Sequence, residues 1–163
     1  MNSIRVPTWK PVAVAACVAL AVALVGGSMT DLGNWYQTLK QPLWKPPDWL
    51  FGPAWTLIFA ATALSASLMW WNTQAKMERR LAIGLFLLNA FLNLLWSWLF
   101  FTLERPDWAF FEVIFLWLNI AILMVLVSRH DRRAGWLLLP YLAWVSFAAM
   151  LNRAVIDLNG PFT

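Results

Sequence analysis

The chain has 163 residues, of which 61% are hydrophobic, 16% aromatic and only 12% charged. A disordered chain is not this apolar, and ordinary soluble domains carry about 25% charged residues. The net charge of +4 does not point to a nucleic-acid partner either, because the basic residues fall between apolar runs and not on a polar face with stacking aromatics.

A spanning helix needs about 20 mostly apolar residues, and runs of that length recur five times. A spanning β-barrel would show alternating segments of about 10 residues, and none are present. The sequence therefore predicts an all-α integral membrane bundle of five transmembrane helices, one domain over 1–163. The spans are expected at about 11–30, 49–75, 79–103, 108–128 and 134–158. The first follows Arg5 and Lys10 and has a signal-like look, but its length favours a retained helix. Cys17 sits inside it as a small apolar residue. The second has Asp48 as expected N-cap and Pro53 in its first turn. Glu112 is the one acidic residue inside the fourth, near its start, and is expected to reach headgroups or a loop cation. Pro140 lies inside the fifth and is expected to bend or break it.

Three of the four connections are short, so neighbouring helices run antiparallel. The long one, 29–48, contains Trp35, Tyr36, Trp44, Pro42, Pro46 and Pro47. Prolines fix φ and large aromatics bury much surface, so this loop is expected to be a folded lid. Eight Lys/Arg fall on the side of the N-terminus and four on the other. The positive-inside rule then places the N-terminus inside and the C-terminus outside, in a bacterial-type cell membrane.

With a single Cys and a single His, the chain offers no intrachain disulfide or structural zinc site. No metal site and no required cofactor are expected. The unusual feature is tryptophan away from the membrane interface. Trp55 and Trp96 lie well inside their spans, and Trp117 and Trp144 are mid-span. Asn89, Asn93, Trp96 and Phe100 recur at i, i+4, i+7 and i+11, on one helical face. Trp55, Phe59 and Thr62 form a face of the second span. Tyr141, Trp144, Ala148 and Asn152 form one of the fifth. Two readings of the amides stay open: helix–helix hydrogen bonding, or the wall of a pocket for a flat apolar ligand. Ala82, Gly84 and Ala90 are small residues that would let two copies approach along the third span.

The run Trp35-Tyr36-Gln37-Thr38-Leu39-Lys40-Gln41-Pro42, then Pro46-Pro47-Asp48-Trp49 and Pro53-Ala54-Trp55-Thr56, resembles the TspO/MBR family, the tryptophan-rich sensory proteins and mitochondrial translocator proteins. Asn93-Leu94-Leu95-Trp96, Pro140-Tyr141-Leu142-Ala143-Trp144 and Leu151-Asn152 extend the resemblance to the fifth span. It implies a homodimer of five-helix subunits, each binding a porphyrin or haem-type tetrapyrrole under the lid. Sterols and benzodiazepine-type compounds are further ligands of the family. By position, the implied pocket comprises Trp44, Trp55, Phe59, Asn93, Trp96, Phe100, Trp108, Trp144 and Ala148. The function implied is a porphyrin receptor or carrier. The alternative is an enzyme degrading porphyrin in light, with Trp55 and Trp144 as candidate catalytic residues. Three departures stand out: Phe59 replaces a tyrosine, Gln41 a lysine, and Arg153 a tyrosine of a proposed cholesterol motif. The last argues against a dedicated sterol role.

Overall fold

The computed structural model describes residues 9–162; Arg5, counted above for orientation, and Thr163 lie outside them. Among the described residues there is no strand. The five long helices are α1 (Trp9–Met29), α3 (Phe51–Asn72), α4 (Lys76–Ser97), α5 (Pro106–Ser128) and α6 (Arg132–Asn159), with a short α2 (Asn34–Thr38) in the long loop. All five long elements are long and apolar enough to cross a membrane. The protein is a multi-pass integral membrane protein. Contacts run α1–α3–α6–α5–α4 and back to α1, closing a ring.

The core follows the ring. Ile58, Leu92, Val113, Leu116, Ile120, Tyr141 and Val145 form one buried cluster. Met69, Ala82, Leu123, Val127, Ala134 and Leu138 form a second, nearer the α3–α4 and α5–α6 connections. Ala82 therefore packs inside the bundle, while Gly84 faces outward. Large apolar side chains such as Leu57, Phe91, Phe115 and Ile122 are exposed on the outer surface, as expected where the surrounding solvent is hydrocarbon. Near the span ends, Trp9, Trp49 and Trp136 are strongly exposed, the arrangement of an interfacial belt.

Several local expectations need correction. Asp48 does not cap α3. It opens a 3-10 turn, Asp48–Leu50, and makes no cap hydrogen bond; its carboxylate is held instead by Tyr36 and Lys45. Pro140 leaves α6 continuous from Arg132 to Asn159. Glu112 is buried, and neither carboxylate oxygen has a partner among the described residues. Because α5 starts at Pro106, Glu112 lies almost two turns in. It shares the inward face with Ala109, Leu116 and Asn119, which directs it away from headgroups.

The turn between α5 and α6 is tight. A Cβ at Gly135 would sit 1.8 Å from Ser128 Oγ, so glycine permits this close approach. Asp131 is the N-cap of α6, accepting from Arg133 N at 2.9 Å, and it also accepts from Asn72 Nδ2 at 3.0 Å. Hydrogen bonding from the Arg133 side chain holds the Asp131 carboxyl below the ordinary carboxylate range. Asp131→Ala should lower stability by about 1 kcal/mol, the usual value of a cap. The folded pKa is depressed, so the carboxylate's contribution is present above its unfolded pKa of about 3.9 and is lost as pH falls through the folded value. Thermal unfolding in detergent should show the gap between wild type and variant closing below about pH 4. A gap that stays constant into acid would contradict this assignment.

Candidate ligand-binding site

On the lid side, the ring encloses a cavity of about 460 Å³, within the range of about 300–1,000 Å³ typical of small-molecule sites. Each wall has a local cause. On α1, Ala23, Gly26 and Gly27 form a small-residue face at i, i+3 and i+4, and they line the cavity with Thr30, the residue just past the helix end. On α3, Trp55 stacks on Phe59 with centroids 5.3 Å apart and meets Tyr141 edge-on at 6.0 Å. On α6, Trp144 is edge-on to Phe51 at 5.5 Å and lines the cavity with Val145 and Ala148. Asn93 and Trp96 of α4 and Val113 and Leu116 of α5 complete it.

The asparagine face hydrogen-bonds across helices, and one of its residues also reaches the cavity. Asn89 donates to Asn119 Oδ1 at 3.0 Å and accepts from the Tyr141 hydroxyl at 3.2 Å. Asn119 donates to the Leu85 carbonyl at 3.2 Å. Asn89 thus joins α4 to α5 and α6. Asn93 belongs to the same network, donating to the Tyr141 hydroxyl at 3.2 Å, and it also lines the cavity. The network fixes the positions of Trp96 and Trp144 by fixing the helices that carry them. Trp117 finds its own partner, donating to Ser146 Oγ at 2.8 Å.

Helix α4 ends in a π turn, Trp98–Thr102, with Leu103 N donating to the Trp98 carbonyl. A π turn adds a residue to the helical repeat, so the face beyond it advances by one position. Phe101, not Phe100, lines the cavity. Phe100 is buried behind it, stacked on Trp96 at 5.1 Å. Of the nine residues named from resemblance, Trp55, Phe59, Asn93, Trp96, Trp144 and Ala148 line the cavity, whereas Trp44, Phe100 and Trp108 do not. Trp44 lies one layer out, edge-on to Phe147 at 5.8 Å, and Phe147 in turn packs on Trp144. Trp108 is held outward, with the Arg105 guanidinium 4.4 Å from its ring.

The long loop covers this end of the ring. Leu39 is buried, and Trp35 meets Phe100 edge-on at 5.9 Å. Tyr36 packs on Phe101 at 5.9 Å and lines the cavity together with Asp48. Tyr36 donates to Asp48 Oδ1 at 3.0 Å, and Lys45 pairs with the same oxygen at 2.5 Å. Burial pushes the Tyr36 phenol above its ordinary pKa, partly offset by Lys45, so it stays a hydrogen-bond donor through the physiological range. A latch ties the loop to the end of α6: Lys40 N donates to Asn159 Oδ1 at 2.8 Å, and Asn159 Nδ2 donates back to the Lys40 carbonyl at 2.9 Å. Sequence reasoning missed Tyr36, Phe101 and Asn159 as parts of the site. The α1 small-residue face was detectable from its spacing.

The fold and site define a class: a multi-pass helical membrane protein enclosing a lidded cavity walled by tryptophans from separate helices. The sequence pattern of the TspO/MBR family matches residues 13–157. The chain is 37% identical over 149 residues to the tryptophan-rich protein TspO of Chlorobaculum tepidum, covering 89% of this chain and 94% of that protein. It is 38% identical over 143 residues to the protein of the same description from Archaeoglobus fulgidus, covering 86% and 91%. It is 30% identical over 153 residues to the human translocator protein, covering 91% and 90%. The chain belongs to the TspO/MBR family.

Proposed function

We propose that this protein is a membrane receptor or carrier for porphyrins and related flat hydrophobic ligands, held in the lidded cavity. The observation that supports it most is that Trp55, Trp96 and Trp144, from three different helices, line one cavity. A flat conjugated ligand gains apolar contact from each wall, and each aromatic pair adds about 0.5–1.5 kcal/mol beyond area burial. Tyr36, Asp48 and Asn93 are among the polar groups of the lining and would orient such a ligand. Binding in this reading needs no resident cofactor. The name "translocator protein" carried by mammalian relatives favours the carrier side of the proposal.

A second reading rests on Trp55 and Trp144 lining the same cavity. Both indoles would then touch a bound porphyrin, as light- and oxygen-dependent breakdown of that ligand requires. Sterols are the weaker ligand class. Arg153 is exposed and paired with Asp157 at 2.9 Å, on ground where the family's proposed sterol motif has a tyrosine.

Titrating the purified protein with a porphyrin in darkness tests the proposal. The expected result is saturable quenching of tryptophan fluorescence with one ligand per chain. Quenching that rises linearly, as free porphyrin partitioning into detergent would give, would remove the porphyrin-binding reading.

A further inference from the structure

A second cavity, of about 500 Å³, lies in the half of the ring opposite the lid, between α1, α3 and α4. It meets the lidded cavity at a shared wall of Val22, Phe59 and Asn93. Its space comes from alanines on all three helices, including Ala15, Ala19, Ala63, Ala66 and Ala90. Val22 is the sole buried residue of α1 among those described, so this half of the helix stands away from its neighbours. Val14 lines the cavity and is nevertheless 64% exposed, so the cavity opens sideways, at the level of the hydrocarbon.

Its charge is confined to one end. Lys10 and Arg79 line the cavity beside Trp70, and no lining residue is acidic. The Arg79 guanidinium lies 4.5 Å over the Trp70 ring and donates through one terminal nitrogen to the Trp70 carbonyl at 2.8 Å. Its Nε is buried and has no partner among the described residues. Two cations at the mouth of a long apolar space match one chemistry, an amphiphile with an apolar chain and an anionic head. The mouth lies at the membrane interface, where Trp70 and the start of α4 sit, and there anionic phospholipid is the amphiphile at hand.

We propose that this cavity is a lateral binding site for one anionic phospholipid from the leaflet opposite the lid. One acyl chain lies along the alanine-lined wall, and the phosphate sits between Lys10 and Arg79. The site is separate from the lidded cavity and does not depend on what that cavity binds. Through Phe59 and Asn93, its occupant supports the floor of the lidded cavity.

Native mass spectrometry of the full chain tests this, after delipidation and titration with phosphatidylglycerol or phosphatidylcholine of the same acyl length. Wild type should retain one phosphatidylglycerol per chain at a concentration at least tenfold lower than it needs for phosphatidylcholine. Ala66→Phe and Ala19→Phe fill the cavity from different helices and should each abolish that retention, with helical content checked by circular dichroism. If one of them misfolds, the other gives the reading. Lys10→Gln with Arg79→Gln should leave the chain unable to tell the two lipids apart. Equal retention of the two lipids by wild type would overturn the proposal. So would undiminished phosphatidylglycerol retention in a folded cavity-filling variant, or a full headgroup preference in the charge variant.

Discussion

Ala148→Phe should abolish or severely weaken porphyrin binding while the helical bundle persists. Ala148 lies on α6 one turn beyond Trp144, and both residues line the lidded cavity. A phenyl group there occupies the space the ligand needs and adds neither charge nor hydrogen-bonding capacity. Forcing a ligand past such a group costs about 1–3 kcal/mol where the surroundings cannot give way. At 1.4 kcal/mol per tenfold, that is about fivefold to more than a hundredfold in Kd. The surroundings here are stiff, because Tyr141 on the same helix is fully buried and tied to both Asn89 and Asn93. Ala148→Ser is the control, since it adds little volume and should bind within a few-fold of wild type. Saturation by porphyrin at wild-type concentrations in folded Ala148→Phe would move the ligand out of this cavity.

The same tie explains which parts of the site were legible in the sequence. Helical periodicity places Trp55 with Phe59, Asn93 with Trp96, and Trp144 with Ala148, because each pair lies in an undisturbed stretch of helix where the 3.6-residue repeat holds. It fails at Phe100, since the π turn beginning at Trp98 shifts the register and nothing in the local composition announces it. It fails at Glu112 for another reason. Distance from a span end says nothing about which face a residue takes, and Glu112 falls on the inward face of α5. The lid was legible as ordered from its prolines and aromatics. Its anchors were not, because Tyr36–Asp48 and Lys40–Asn159 are pairings across 12 and 119 residues of chain.

The asparagines combine helix–helix hydrogen bonding with a place in the cavity wall. In hydrocarbon an unpaired amide is expensive, so Asn89 and Asn119 hydrogen-bond across helices. Asn93 uses one amide hydrogen for Tyr141 and stands in the cavity wall with the rest of its amide. A network of this kind sets the spacing between aromatic walls. A flat ligand requires that spacing before any stacking contact can form, so packing in the bundle and recognition in the cavity are consecutive steps.

Trp55→Phe and Trp144→Phe separate the two functional readings. Phenylalanine keeps an apolar ring with a π face, so the stacking lost is a fraction of the 0.5–1.5 kcal/mol an aromatic pair contributes, and affinity should fall less than about tenfold. What the substitution removes is the indole, the more readily oxidised ring. If Trp55 or Trp144 gives an electron to light-excited porphyrin in the presence of oxygen, wild type will lose porphyrin absorbance under illumination. The substituted protein will bind the same porphyrin and keep it. Darkness or removal of oxygen should stop the loss in wild type, which separates protein-directed chemistry from simple bleaching. If the protein is a receptor or carrier, wild type and both variants will lose absorbance at one rate, no faster than free porphyrin in the same detergent. Trp55 is stacked on Phe59 and Trp144 is edge-on to Phe51, and all four rings line the cavity. That arrangement serves a binding wall and an electron donor equally well, and only the rate of loss under light, compared between indole and phenyl, distinguishes them.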